Sequence, residues 1–375
     1  MPPNPFEMPW WGLLNLSLPL LRNQSQFQLD ASCWMSHGTT VALVLSYCLV
    51  MVLGLFGNVC LICIIARQRD RANVTSILIA NLSVSDILVC VFCLPFTVVY
   101  TLMDHWIFGG VLCRLMPFVQ CTSVTVSILS LVLIAIERHQ LIINPSGWKP
   151  SVPQAYLAVL VIWVLACFTS LPFLAFHLLT SEPYSLLPNP QAQLEACLEH
   201  WPSQEQKLAY TTCLLVFQYC APLLFVLLCY LRIFLRLRHR RHMLDRQCSR
   251  TEENRRMSHS KRINSMLAAL VTAFAVCWLP LNAFNVVADW HQEALPICHH
   301  DLLFSLCHLL AMCSTCINPI IYGFLNSNFR KEVAAALLHC RCQPLEDSYE
   351  HFPLSTMNTD VSRTSLRLSY RNNSV

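Results

Sequence analysis

An all-α bundle of seven membrane-spanning helices, followed by a short amphipathic helix on the membrane surface, is the fold class that this 375-residue sequence predicts. Three observations predict it: seven apolar stretches long enough to cross a bilayer, 55% apolar against 12% charged residues, and basic residues crowded into alternate loops. A spanning helix needs about 20 mostly apolar residues, because lipid offers backbone amides no partner and the segment must bond internally. The candidates are 40–66, 76–103, 113–136, 155–179, 209–235, 264–289 and 301–325. A soluble chain of this composition would carry an aggregating surface, so a soluble class is excluded.

Charge sets the orientation. Arg67, Arg69 and Arg71 follow the first span, Lys149 lies in the second inner loop, and a dense basic set fills 236–262. These loops are cytoplasmic by the positive-inside rule. The opposite loops are acidic, with Asp104, Glu182, Glu195, Glu199, Glu205, Asp289, Glu293 and Asp301. The amino terminus is therefore expected outside and the carboxyl terminus inside. Residues 1–39 form an extracellular tail, 40–326 the bundle, 327–342 the amphipathic helix and lipid anchor, and 343–375 a polar cytoplasmic tail of disordered character. No cleavable signal peptide is expected, since the apolar run from Trp10 to Leu21 lacks a basic flank. Sequons at Asn15 and Asn23 fall in the outer tail and are the expected glycosylation sites, whereas Asn73, Asn81 and Asn372 fall inside or within the membrane.

Most of the 21 cysteines lie in apolar spans and read as small core hydrophobes. Cys33, Cys113, Cys197 and Cys298 lie on the oxidising face, and four cysteines allow three pairings. Cys113 opens the third span and Cys197 sits in the longest outer loop, so that bridge would tie the loop over the bundle; Cys33 would then join Cys298. Cys340 and Cys342 follow an amphipathic stretch and suit S-palmitoylation at the inner leaflet, or are ordinary reduced thiols.

Polar residues inside spans are costly and should face inward. Asp86 is a lone carboxylate midway along the second span, with Asn58, Ser127, Ser314 and Asn318 as candidate neighbours. Such an oxygen-rich pocket suits a small hard cation such as sodium, an allosteric ion in a chain with no other expected cofactor. The alternative is a protonated Asp86 bonded to neighbouring amides and hydroxyls. His299 and His300 beside Cys298 lack the spacing of a zinc cluster, so no metal centre is expected. Pro222, Pro280 and Pro319 each remove a helical hydrogen bond and mark spans that can bend. No grouping of nucleophile, base and oxyanion donor emerges, so the chain is not expected to be an enzyme, and nothing suggests a nucleic-acid partner. A transporter or channel would also bury Asp86 and break its helices, but those folds usually show internal repeats, and the halves of this chain share no self-similarity.

Asn58, Asp86, Cys113, Arg138, Trp163, Cys197, Pro222, Trp278, Pro280 and the Asn318-Pro319-Ile320-Ile321-Tyr322 run, in this order on seven spans, resemble the rhodopsin-like (class A) G-protein-coupled receptors across almost the whole chain. The runs 137–150 (ERHQLIINPSGWKP), 73–82 (NVTSILIANL), 100–108 (YTLMDHWIF) and 314–326 (STCINPIIYGFLN) are similar to the neuropeptide Y and pancreatic polypeptide receptors, in the group of types 1, 4 and 6. Residues 296–298 and the 365–369 tail lean toward type 4. Asp104-His105-Trp106 and Tyr349-Glu350 look more like types 1 and 6, and Ala288 stands where type 4 usually has a second acid. Type 1 or type 6 selectivity is therefore the alternative.

The resemblance implies a plasma-membrane receptor for a peptide hormone ending in an arginine-rich segment and an amidated tyrosine: pancreatic polypeptide, peptide YY or neuropeptide Y. Asp289 then pairs with a ligand arginine, Gln120 meets the tyrosine amide, Asn285 adds hydrogen bonds, and Tyr100, Asp104 and Gln218 are further wall candidates. Each also has a plainer reading, as a solvated helix cap or a cross-bundle hydrogen bond. Transmission is expected through Trp278 and the Pro280 hinge to an inner face that admits a G protein of the inhibitory Gi/o class, lowering cyclic AMP. Arg138 is the coupling residue, Glu137 its resting restraint, and Tyr230 and Tyr322 its receivers when active, with Asn318 and Pro319 forming the lower hinge. The inner end of the sixth span reads Ser260-Lys261-Arg262, without the acid many class members place there, so the resting brake is expected to rest on Glu137 alone. Ser and Thr residues in the tail, from Ser355 to Ser369, suit phosphorylation and arrestin recognition.

Overall fold

The computed structural model describes residues 36–67, 73–103, 105–144, 146–181, 195–246, 251–290 and 300–325. Seven helical stretches long and apolar enough to cross a membrane fill them. They are α1 (His37–Arg67), α2 (Val74–Met103), α3 (Gly109–Ile143), α4 (Val152–Phe176), α5 (Gln204–His239), α6 (Thr251–Trp290) and a seventh span made of two helices, α7 (His300–Met312) and α8 (Ser314–Leu325). The one-residue break at Cys313 was not foreseen from the apolar run.

α1 shows how a membrane helix is sorted without polar and apolar faces. Leu43, Tyr47, Val50, Gly54, Asn58 and Leu61 are buried at helical spacing, while Leu45, Leu49, Val52 and Phe56 on the opposite side are 59–64% exposed. Both faces are apolar because the outer one meets lipid rather than water. α3 is the most enclosed span and packs against α2, α4 and α5. Asn81 fastens three helices: its Nδ2 donates to Ser130 Oγ at 2.9 Å, and its Oδ1 accepts from Trp163 Nε1 at 2.9 Å. A large inner core centres on Leu78, Ile128, Leu131, Leu267 and Leu270, and an outer one on Tyr47, Cys93, Leu94, Phe284, Phe304 and Met312. Trp278 packs against both.

The seventh span meets α1 at a glycine. A Cβ on Gly57 would stand 2.6 Å from Cγ of Pro319, closer than any real contact, and neither a helix backbone nor a proline ring yields cheaply. Gly57→Val is expected to destabilise the bundle by about 2 kcal/mol or more, read as a several-degree fall in the thermal midpoint of detergent-solubilised protein. The same contact region repairs the proline break. Pro319 cannot donate to the Thr315 carbonyl one turn earlier, and Asn58 Nδ2 donates to that oxygen at 2.7 Å.

The structure corrects the expected boundaries at several ends. The fourth helix stops at Phe176, and His177–Thr180 is instead β1, paired antiparallel with β2 (Ala196–Glu199). The bundle is therefore not purely helical: a hairpin lies across its outer end. The peptides from His177 onward bond across to the hairpin partner rather than up a helix, with Leu179 opposite Cys197 and His177 opposite Glu199. The fifth helix begins five residues before the apolar run, at Gln204, because the Ser203 hydroxyl accepts from Gln206 N and caps it. α6 extends inward to Thr251, well beyond its apolar part. Both α2 and α5 contain a π-helical turn, at Val89–Cys93 and Leu215–Cys220, that apolar patterning does not reveal.

Several expectations lie outside the described residues: the amphipathic helix at 327–342 with Cys340 and Cys342, the tail beyond it, Asp104, glycosylation at Asn15 and Asn23, and the pairing of Cys33 with Cys298.

Candidate functional site

The hairpin is the lid of the site. Cys113 and Cys197 form a disulfide with Cα atoms 5.5 Å apart, joining β2 to the outer end of α3. Arg114 Nε donates to the His177 carbonyl at 3.1 Å, and Trp106 N donates to the Glu195 carbonyl at 2.8 Å, so both strands are anchored to the bundle. His177 Nδ1 donates to the Phe173 carbonyl at 3.0 Å. Burial holds the His177 pKa down at about 4, so the ring is neutral near pH 7 and its 3.8 Å approach to Glu199 is not a salt bridge.

Beneath the lid is a cavity of about 130 Å³ between α3, α5 and α6. Gln120, Gln218, Asn285 and Asp289, proposed from sequence, all line it, together with Glu199, Trp201, Phe173, Tyr210 and Trp278. The four residues come from three helices and converge because each faces inward from a span whose outer face is apolar. Tyr100 does not share this cavity. It lines a smaller one of about 30 Å³ with Tyr47, Trp106, Phe304 and His308, between α1, α2, α3 and the seventh span.

Gln120 joins the two cavities. Its Nε2 donates to His308 Nε2 at 3.1 Å, His308 Nδ1 donates to the Tyr47 hydroxyl at 3.0 Å, and that hydroxyl donates to the Ser305 carbonyl at 3.0 Å. This direction of donation is the tautomer that satisfies every member of the chain. Gln120 Oε1 is buried with no hydrogen bond among the described residues, which leaves an acceptor open to a donor. Gln218 is more committed: its Nε2 donates to Thr125 Oγ1 at 2.7 Å and to the Cys121 carbonyl at 3.2 Å, tying α5 to α3.

The outer wall of the cavity is anionic. Asp289 Oδ1 lies 2.9 Å from Lys207 Nζ, and both side chains are almost fully buried. Glu199 stands nearby, its Oε2 accepting from Trp201 Nε1 at 2.9 Å. Sequence reading had placed Glu199 only among the acids of an outer loop. The signal that could have singled it out is its position two residues after the bridging Cys197, on the same strand face. Burial pushes the Glu199 carboxyl up to about 7; Lys207 and the Trp201 hydrogen bond pull it down, and Asp289 adds to the rise. A raised carboxyl is neutral below its pKa and charged above it, so its preference for the buried, protonated form is present at low pH and fades as pH rises through about 7. The attraction for a cationic ligand therefore strengthens between about pH 6 and pH 8. Affinity for a cationic peptide is expected to rise about threefold to tenfold over that window, and in Glu199→Gln the rise should flatten, as followed by competition binding at fixed ionic strength.

Deeper in the bundle, Asp86, Ser127, Ser314 and Asn318 line a cavity of about 20 Å³ with Ser123 and Trp278. Asn318 Nδ2 donates to Asp86 Oδ2 at 2.7 Å, Ser127 bonds Ser85 at 2.8 Å, and Ser314 Oγ accepts from Trp278 Nε1 at 3.2 Å. The polar lining is oxygen apart from the Asn318 amide nitrogen and the Trp278 indole nitrogen, both of which donate to neighbouring oxygens, and the space suits a single small occupant. Asn58 does not line it; its Nδ2 donates to the Thr315 and Gly54 carbonyls, at 2.7 and 2.9 Å, and its Oδ1 is buried with no hydrogen bond among the described residues.

At the inner end, Arg138 Nη2 lies 3.8 Å from Glu137 Oε2. The expectation that Glu137 acts alone is corrected by Thr75 of α2. Its hydroxyl donates to Glu137 Oε2 at 2.5 Å and accepts from Arg138 Nη2, placing an uncharged bridge between acid and base. Sequence reading missed Thr75 because it belongs to a different span and carries no charge. Tyr230 and Tyr322 lie close by, both hydroxyls buried without a hydrogen bond among the described residues. Thr75→Val and Glu137→Gln are each expected to raise ligand-independent signalling at least about twofold, since either removes a group holding Arg138 worth about 1 to 3 kcal/mol; an unchanged basal level in both would remove the brake.

Seven spans, a disulfide-tied outer lid, a cavity beneath it and an arginine restrained at the inner end define a transmembrane receptor, and the chain belongs to the rhodopsin family of seven-transmembrane receptors, whose family model matches residues 57–322. Within that class its relatives are the neuropeptide Y receptors. It is 52% identical over 357 residues to the rat neuropeptide Y receptor type 4, covering 93% of each chain. It is 52% identical over 369 residues to the human neuropeptide Y receptor type 4-2, covering 96% of this chain and 95% of the relative. The mouse neuropeptide Y receptor type 6 is 51% identical over 353 residues, with 93% and 94% covered. The expected grouping with types 1, 4 and 6, leaning to type 4, stands on these relatives, as does the expectation that the chain is a receptor and not an enzyme.

Proposed function

We propose that this chain is a plasma-membrane receptor for amidated peptides of the pancreatic polypeptide type, with its amino terminus outside, signalling through Gi/o proteins to lower cyclic AMP. The observation that carries the reading is that two buried carboxyl groups, Asp289 and Glu199, line the same cavity as Gln120. A ligand arginine suits the acids, because a guanidinium offers paired donors to carboxylate oxygens in a poorly hydrated site. A carboxyl-terminal amide suits Gln120, whose free carbonyl oxygen accepts an N–H. Trp278 closes the floor, two residues inward of Pro280 in the helix that must bend. Its Asn282 neighbour donates to the Trp278 carbonyl at 2.8 Å and Tyr219 donates to the Ala275 carbonyl at 2.8 Å, side chains that attend the weakened turn.

The Asp86 cavity would hold sodium through Asp86, Ser127, Ser314 and Asn318, supplying a fixed charge that favours one arrangement of the inner helices. Arrestin recognition of a phosphorylated tail and lipid anchoring through Cys340 and Cys342 complete the reading. The relatives lean to type 4, so pancreatic polypeptide is expected to rank first. Competition among radiolabelled pancreatic polypeptide, peptide YY and neuropeptide Y on expressing cells, with cyclic AMP followed with and without pertussis toxin, tests it. Nanomolar binding and a toxin-sensitive fall support the proposal. Substrate flux without either would instead support the transporter alternative, and a different rank order would assign type 1 or type 6 selectivity.

A further inference from the structure

The acid expected to grip the ligand already has a partner inside the protein. Lys207 Nζ lies 2.9 Å from Asp289 Oδ1, with Lys207 6% and Asp289 5% exposed. Lys207 belongs to the first turns of α5, just after the Ser203 cap, where the exposed amides of a helix start repel a cation. Its place there is explained by the two acids it faces, Asp289 and Glu199, the second of which feels its charge. The contact is ionic but poorly directed: among the described residues Asp289 Oδ1 receives no aligned hydrogen bond, and neither does the neighbouring Asn285 Oδ1. Asp289, Asn285 and Glu199 line the cavity, whereas Lys207 reaches the carboxylate from beside it.

We propose that Lys207 is an internal competitor that occupies Asp289 in the ligand-free receptor and sets its preference for arginine over lysine. An entering guanidinium brings two parallel donors to both carboxylate oxygens and displaces the single, misaligned ammonium toward Glu199, the other acid that feels its charge. An entering ammonium offers the same point charge that Lys207 already supplies, so the exchange gains nothing. The same competitor keeps the acids from being stranded as buried lone charges when no ligand is present. This inference rests on the reading of Asp289 as the arginine partner.

The test uses the full-length receptor in membranes, with radiolabelled peptide YY and analogues in which each arginine near the carboxyl terminus is singly replaced by lysine or by citrulline, its neutral isostere. Surface amount is read through an amino-terminal epitope. Lys207→Gln is expected to bind the arginine peptide about fivefold to tenfold more tightly, to shrink the penalty of the arginine-to-lysine analogue, and to leave affinity for the matching citrulline analogue unchanged. Lys207→Arg, which can hold Asp289 with a paired fork, is expected to weaken binding of the arginine peptide about threefold or more. Unchanged or weaker binding in Lys207→Gln, or tighter binding in Lys207→Arg, overturns the proposal. Should Lys207→Gln fail to reach the surface, the Lys207→Arg result decides alone. Asp289→Asn separates the two ideas: full affinity in that variant removes the arginine partner itself, while lost affinity there with no gain in Lys207→Gln removes only the competitor.

Discussion

Asp289→Asn is expected to lower the affinity of amidated, arginine-bearing peptides by more than about a hundredfold, because an arginine brought into a nearly dry wall would lose its counter-charge, a loss of about 3 to 5 kcal/mol. Asparagine keeps the size and one acceptor, so a purely steric or capping role would survive the change. The substitution also strands Lys207, whose ammonium is buried beside that carboxylate. Part of any fall in surface amount therefore belongs to Lys207 rather than to the ligand. Combining Asp289→Asn with Lys207→Gln should return the receptor to the surface without returning its affinity. Saturation binding normalised to epitope count separates the two effects, and an affinity within threefold of the parent would sink the assignment of Asp289.

The second large effect is expected from Cys113→Ser. The bridge to Cys197 closes a loop of 84 residues that includes α4 and β1. Loop-closure entropy alone assigns such a link about 4 to 5 kcal/mol, a large share of what holds a small domain folded. Here the local consequence exceeds the global one. β2 carries Glu199, and Trp201 follows directly, so releasing Cys197 from α3 frees the anionic wall while Asp289 stays in place. Peptide binding should be lost, and the receptor surviving at the surface should show faster proteolysis of the outer loop. The expected signature is a loss of binding larger than the loss of folded protein, measured by comparing radioligand sites with conformation-independent epitope counts.

How far the sequence could be read depended on which physical signal a residue leaves. Membrane helices announce themselves through composition, because every residue of a span must satisfy lipid or core; hence α1 through α8 were legible as seven runs, while their ends, the break at Cys313 and the two π-helical turns were not. Those ends depend on local bonds: Ser203 capping α5, or the peptides after Phe176 turning outward into a strand. Asp86, Arg138 and Glu137 were visible because charge is rare in such spans. Their partners were not. Thr75 looks like any threonine until α2 is laid beside α3, and Lys207 looks like an outer-loop cation until α5 is laid beside α6. Asn58 was grouped with Asp86 on polarity, but its amide donates to the carbonyl orphaned by Pro319. Pairings between distant spans come from packing geometry, which leaves no periodic trace in the chain.

Trp278 forms part of both the cavity under the lid and the smaller one around Asp86. One indole thus serves as the shared boundary of two compartments of unlike size and lining. Swinging the ring upward would enlarge the lower compartment at the expense of the upper, and swinging it down would do the reverse, so filling one compartment would change the affinity of the other through a single torsion and one shared coupling free energy.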